Sequence, residues 1–102
     1  MNLIYKTDAE QLVRSSISHD PGLISWSKHC MEEMFKDDLI INDLINVLKS
    51  GKVRRKGVFD AENDEYIYRI ETSKIVVVFK FMDFGGGNNK ELGIKLITCW
   101  RK

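Results

Sequence analysis

The run Ile75-Val76-Val77-Val78-Phe79 constrains the fold of this chain more than any other stretch. It is apolar at odd and even positions alike and rich in β-branched residues. As a strand it is therefore covered on both faces and belongs at the centre of a sheet. Turn residues flank it, Thr72-Ser73 before and Phe84-Gly85-Gly86-Gly87-Asn88-Asn89-Lys90 after, so it enters and leaves through hairpins. The spacing of apolar runs predicts four strands, over 52–59, 65–71, 74–83 and 92–100, with Asp60 to Asp64 joining the first two.

The first half of the chain follows a helical period instead. Leu12, Val13 and Ile17 make one stripe of a helix over 1–18, with Thr7 or Asp8 as its cap and Glu10 as the acid of a capping box. His19-Asp20-Pro21-Gly22 stops it. After a short apolar lead-in over 23–26, Ser27 caps a helix reaching about Asp37, whose inward stripe is Cys30, Met31, Met34 and Phe35. A third helix over 38–49 carries Leu39, Ile40, Leu44, Ile45, Val47 and Leu48, with Asp38 or Asn42 available as its cap. It ends at Ser50-Gly51, where glycine suits a left-handed C′ residue. Helices first and hairpin-linked strands afterwards predict a single α+β domain over 1–102, its N-terminal helices packed on a four-stranded antiparallel sheet.

Composition narrows the function classes. With 43% hydrophobic and 30% charged residues among 102, the chain reads as a globular domain and not as a disordered or fibrous one. The longest apolar run is too short to cross a bilayer and no basic-then-apolar leader opens the chain, which points to a cytoplasmic protein without a membrane partner. Cys30 and Cys99 lack C-x-x-C spacing, so idle buried thiols in a reducing compartment are expected. No metal cluster or cofactor motif is present, and the Gly85-Gly86-Gly87 run lacks the strand–turn–helix setting of a phosphate loop. The net charge of +1 hides an asymmetry. Residues 1–48 hold four Lys or Arg against eight Asp or Glu, whereas residues 49–102 hold twelve against seven. The second half is the one suited to an anionic partner.

The candidate functional residues cluster accordingly. Lys52, Arg54, Arg55 and Lys56 are four cations within five positions, with Lys49 just before. They suit either phosphate contact or a charge-protected edge strand. Tyr66 and Tyr68 share a face of the next strand, with Arg69 beside them, suited to base stacking or to cross-strand packing. Lys80 interrupts a central strand and must snorkel, pair with a carboxylate or face a cleft. Trp100 and Thr98 share one face of the last strand, Cys99 and Arg101 the other. His29 stands just inside a helix start, a position suited to anion contact or acid–base work as well as to an ordinary helix turn. The inventory has neither a carboxylate pair of glycosidase type nor a G-x-S-x-G nucleophile. Histidine, lysine, arginine and tyrosine do suffice to cleave RNA without a metal, by supplying a base for the 2′-hydroxyl and cations for the phosphorane charge.

These residues also carry a resemblance. Ser27-x-His29 opening a Met-rich helix, a second helix ending Val47-Leu48-Lys49-Ser50-Gly51-Lys52-Val53, and a meander closing on Thr98-Cys99-Trp100-Arg101 resemble a family of small bacterial domains that begin Ser-x-His-Ala. That family looks related to RelE-like and MqsR-like toxins of toxin–antitoxin pairs. The resemblance covers about residues 24–101 and leaves 1–20 as an N-terminal helical extension. It implies a RelE-like α+β core, metal-independent cleavage of mRNA, no cofactor, RNA as substrate and a cognate antitoxin as partner. By position it implies His29, Tyr68, Lys80 and Arg101 as catalytic groups and Arg69 on the substrate; the basic run adds Lys52, Arg54, Arg55 and Lys56 as contacts to the nucleic acid. Cys30 replaces the usual small residue after the histidine. The arginine often seen late in the first motif helix is absent, Lys36 being out of register. The alternative is a non-catalytic module that binds nucleic acid or protein.

Overall fold

A computed structural model describes residues 3–19, 24–84 and 91–102. The residues expected to stop the first helix beyond His19, and the glycine run at 85–90, lie outside the described residues. Three helices, α1 (Lys6–His19), α2 (Lys28–Lys36) and α3 (Ile41–Ser50), accompany five strands: β1 (Ile24–Trp26), β2 (Val58–Asp60), β3 (Glu65–Glu71), β4 (Ile75–Phe84) and β5 (Glu91–Arg101). The strands form one sheet in the order β1-β5-β4-β3-β2. The fold is α+β, but the sheet is five-stranded and mixed, not four-stranded and antiparallel. β1 pairs with β5 in parallel, Ile24 to Ile94 and Trp26 to Leu96, while the other three pairings are antiparallel. Three residues are too few to show an alternating pattern. What makes 24–26 a strand is a partner some seventy positions away.

The expected central strand is central. On β4, Val76, Val77 and Phe79 are fully buried, and the strand lies between β5 and β3. Phe79 and Val77 turn to the helices and meet Tyr68 and Ile70 of β3 and Leu96 and Cys99 of β5. Ala9, Val13, Cys30, Leu44, Val47 and Leu48 close this core from the helical side. Each such side chain contributes about 1.5–3 kcal/mol when fully buried, so this helix-facing core holds β4 at the centre of the sheet. The three helices share this one core, and among the described residues no helix covers the opposite face of the sheet.

A bulge decides which residues reach that open face. Val78 pairs with Thr98 but Phe79 with Leu96, so Ile97 is an extra residue in β5. Without it Leu96 and Cys99 would point to opposite sides; with it both enter the core, and Lys95, Thr98 and Trp100 all face outward. The same bulge receives α2. The Ser27 hydroxyl donates to the Ile97 carbonyl at 2.8 Å and accepts from Cys30 N–H at 3.0 Å, which makes Ser27 the cap its position suggests.

Other local expectations are corrected. The 52–59 segment is not one strand. Lys52 makes a single bridge to Glu71, regular pairing resumes only at Val58, and Val53 gives its N–H to Glu10 Oε1 at 2.6 Å. Glu10 is thus an anchor for the basic loop and not the acid of a helix cap. α3 begins at Ile41 because Asp38 takes a positive φ of 55° in the turn after α2. Asp43 accepts from Ile40 N–H at 2.9 Å. Gly51 is extended, at φ −74°, not left-handed. A Cβ there would sit 2.5 Å from the Val47 carbonyl oxygen and 3.0 Å from that of Glu71, so close approach of two backbones demands the glycine. On α2, Met31 and Phe35 point outward, Phe35 with 91% of its surface exposed. With Trp26 they line a shallow apolar depression that Met34, Leu39 and Ile41 complete. α2 packs chiefly on β5 and so buries a narrower stripe than four residues.

Candidate nucleic-acid interface

The open sheet face and the loop at 53–57 together form the candidate interface. On β3, residues Glu65, Ile67, Arg69 and Glu71 face outward; on β4, Val76, Val78 and Lys80; on β5, Lys95, Thr98 and Trp100. The Arg69 guanidinium reaches across β4 and lies 5.2 Å from the centre of the Trp100 ring. Val76, registered between Glu71 and Trp100, is completely buried beneath these side chains. Beside them a groove of about 290 Å³ runs under the basic loop. It is lined by the apolar Val58, Ile67 and Val78, by Trp100, by the cations Arg55, Lys56 and Arg69, and by the otherwise buried Tyr68.

Charge on this face is unevenly compensated. Glu71 takes Arg69 Nε at 2.8 Å, Lys102 Nζ at 3.2 Å and Arg54 Nε at 3.7 Å. Its desolvation would raise its carboxyl, but the bonds from Arg69 and Lys102 and their charges hold it below the usual carboxylate range. Lys80 donates to Glu65 Oε2 at 2.6 Å, so of the three fates open to a central lysine it takes a carboxylate partner. Asp60 stands near this pair. Its carboxyl lies below the ordinary range through the Asn63 amide at 2.8 Å, against some desolvation, with Glu62 N–H and the Lys80 charge assisting. Lys95 sits directly opposite Lys80 in register. Among the described residues, neither Arg55 nor Lys56 has an acidic partner within 4.0 Å. Seven cations, Arg54, Arg55, Lys56, Arg69, Lys80, Lys95 and Lys102, thus meet three carboxylates.

The expected site residues divide sharply. Arg54, Arg55, Lys56, Arg69 and Lys80 are gathered on or beside the open face. Lys52 is exposed and joined to β3 through its backbone alone. Tyr68 is buried to 2% exposure among Phe79 and Phe81, and its hydroxyl accepts Ile4 N–H at 2.8 Å. It is a core residue, because its position shares the parity of Ile70 and not of Arg69. Arg101 is an end-stop for α2: its N–H meets Asp37 Oδ2 at 2.8 Å, and its guanidinium reaches the Asp37 and Asp38 carbonyls at 3.3 and 3.2 Å. His29 belongs to the helical layer, exposed, with Glu33 Oε1 4.0 Å from its Nε2. The fold keeps it apart from the cations of the open face.

Trp100, Lys95 and Glu65 also belong to the face, beyond the site residues that the sequence suggests. Trp100 had a signal, an aromatic among cations at the end of an apolar strand. Lys95 had none, because parity without the bulge assigns it to the other side. Cys30 and Cys99 meet in the core between α2 and β5; burial and its neighbour's charge push the Cys99 thiol up to about 12, and burial raises Cys30 as well. Among the described residues, no three His, Cys, Asp or Glu side chains cluster as metal ligands, and no helix is long and apolar enough to cross a membrane. Comparison with protein-family models, with curated proteins and with solved structures finds no match.

Proposed function

We propose that this chain binds single-stranded RNA on its open sheet face and cleaves it without a metal, as a RelE-like or MqsR-like toxin does. One observation carries the reading: Trp100, held against Arg69, lines one groove with the uncompensated pair Arg55 and Lys56. An aromatic ring in an apolar lining stacks a base, and the cations hold the phosphates on either side of it. The reacting groups in this reading are Lys80 and Glu65. Glu65, partly exposed, accepts the 2′-hydroxyl proton as the P–O2′ bond forms. Lys80 stabilises the phosphorane charge and gives a proton to O5′ as the P–O5′ bond breaks, leaving a 2′,3′-cyclic phosphate and a 5′-hydroxyl; Glu65, hydrogen-bonded to Lys80, then passes it the proton taken from the 2′-hydroxyl. His29, Tyr68 and Arg101 take no part.

The test is incubation of labelled RNA with the protein in excess chelator. Cyclic-phosphate products that disappear with Lys80→Ala or Glu65→Gln, while RNA binding persists, support it. A toxin also requires an antitoxin, so harmless expression of the folded chain on its own would sink the toxin part.

A specific observation favours a second reading, binding without cleavage. Of the four residues the resemblance marks as catalytic, Tyr68 is buried, Arg101 is spent on a helix end and His29 lies in the other layer. An intact RNA pool beside a salt-sensitive complex is the result that selects this reading.

A further inference from the structure

The segment before α1 forms a second groove. Ile4 N–H donates to the Tyr68 hydroxyl, and the Leu3 side chain packs where a Cβ on Gly57 would come within 3.1 Å of it, so this segment is tied to the basic loop. Leu3, Ile4, Tyr5, Lys6 and Lys56 enclose about 360 Å³. Tyr5 is 65% exposed, an aromatic ring that core packing does not use. Lys56 borders this groove and the groove lined by Trp100 alike.

We propose that the Tyr5 groove is a second nucleobase subsite, continuous with the first through Lys56. One base packs against Trp100, the next stretch of backbone passes Lys56, and a further base stacks on Tyr5. The proposal rests on the RNA-binding reading and extends it to a path around the edge of the sheet. The chemistry of the lining selects the ligand class. An exposed ring in the same lining as Leu3 and Ile4 offers an apolar contact, and Lys6 and Lys56 beside it offer charge to the backbone that carries the base. A free phosphate gains nothing from the ring, and an apolar ligand gains nothing from the lysines. The volume falls at the lower end of ligand pockets, roughly 300–1,000 Å³, which suits one nucleoside.

The test uses 2′-O-methyl oligouridylates, which cannot be cleaved through the 2′-hydroxyl, at lengths of about four and about ten nucleotides. Affinities are measured by fluorescence anisotropy for the wild-type chain, Tyr5→Ala, Tyr5→Phe and Trp100→Ala. Loss of one stacked base, about 1–3 kcal/mol, predicts that Tyr5→Ala weakens the long oligomer about tenfold and spares the short one. Tyr5→Phe keeps the ring and the affinity, and Trp100→Ala weakens both lengths. Long-oligomer affinity unchanged in Tyr5→Ala but reduced in Trp100→Ala overturns the second subsite and leaves RNA binding standing. Equal weakening of both lengths by Tyr5→Ala overturns the order of the path. No binding of either length at low salt removes the underlying reading as well.

Discussion

The Arg69 guanidinium lies 5.2 Å from the centre of the Trp100 ring, although the two residues stand on strands separated by β4. Glu71 sets this arrangement by holding Arg69 Nε at 2.8 Å, and the pair roofs Val76. A ring so held is pre-oriented, with little rotamer freedom left to lose when a base packs on it. Trp100→Ala is expected to weaken single-stranded RNA binding by about 1–3 kcal/mol, and Trp100→Phe to recover much of the loss. Anisotropy titration of both variants checks this, with circular dichroism confirming the fold.

Glu71 links the same cluster to pH. Its folded carboxyl is depressed, so its contribution to stability is complete above the ordinary glutamate range and is lost as pH falls through and below that range. Thermal melts taken from neutral pH downward are expected to show a loss of Tm in that acid window. Glu71→Gln lowers Tm at neutral pH and makes the acid loss shallower. An acid dependence identical in the variant contradicts the assignment.

Gly51 gives a steric prediction separate from the RNA face. Its φ suits alanine, so any effect of Gly51→Ala arises from space alone: the new methyl meets the Val47 and Glu71 carbonyls. Overpacking at a site walled by backbone is worth about 1–3 kcal/mol, read as a lower urea midpoint at unchanged slope.

How far the sequence spoke for the fold follows from the range of the forces involved. β4 was legible as a central strand because its run is apolar at both parities, although on the open face only Val76 is fully buried and Val78 is half-buried, not covered as that run predicts. Ser27 was legible because a cap is a bond to a residue three positions on. β1 and the Ile97 bulge were not, since each exists only through a partner far along the chain. The bulge in turn hid Lys95. Phe35 and Tyr68 erred in opposite directions. Helical spacing marks Phe35 as core, but α2 packs chiefly on β5 and leaves that side of the stripe exposed. The resemblance marks Tyr68 as catalytic by its place on a middle strand, but strand parity turns it inward.

Tyr68 tests that last distinction. With its ring in the core and its hydroxyl accepting Ile4 N–H, Tyr68→Phe is expected to lose about 1 kcal/mol of stability and to leave RNA cleavage, and the binding of short oligomers at the Trp100 groove, unchanged. A collapse of cleavage in a folded Tyr68→Phe chain would return the residue to the reaction.

The salt dependence of RNA affinity tests the open face most directly, with log K against log salt measured for the wild-type chain and for Arg55→Gln/Lys56→Gln. Each phosphate neutralised on a single strand contributes about 0.7 to the slope, so the double variant is expected to be shallower by about 1.4 and weaker at low salt. An identical slope, or an affinity that salt does not touch, contradicts the binding of RNA on this face.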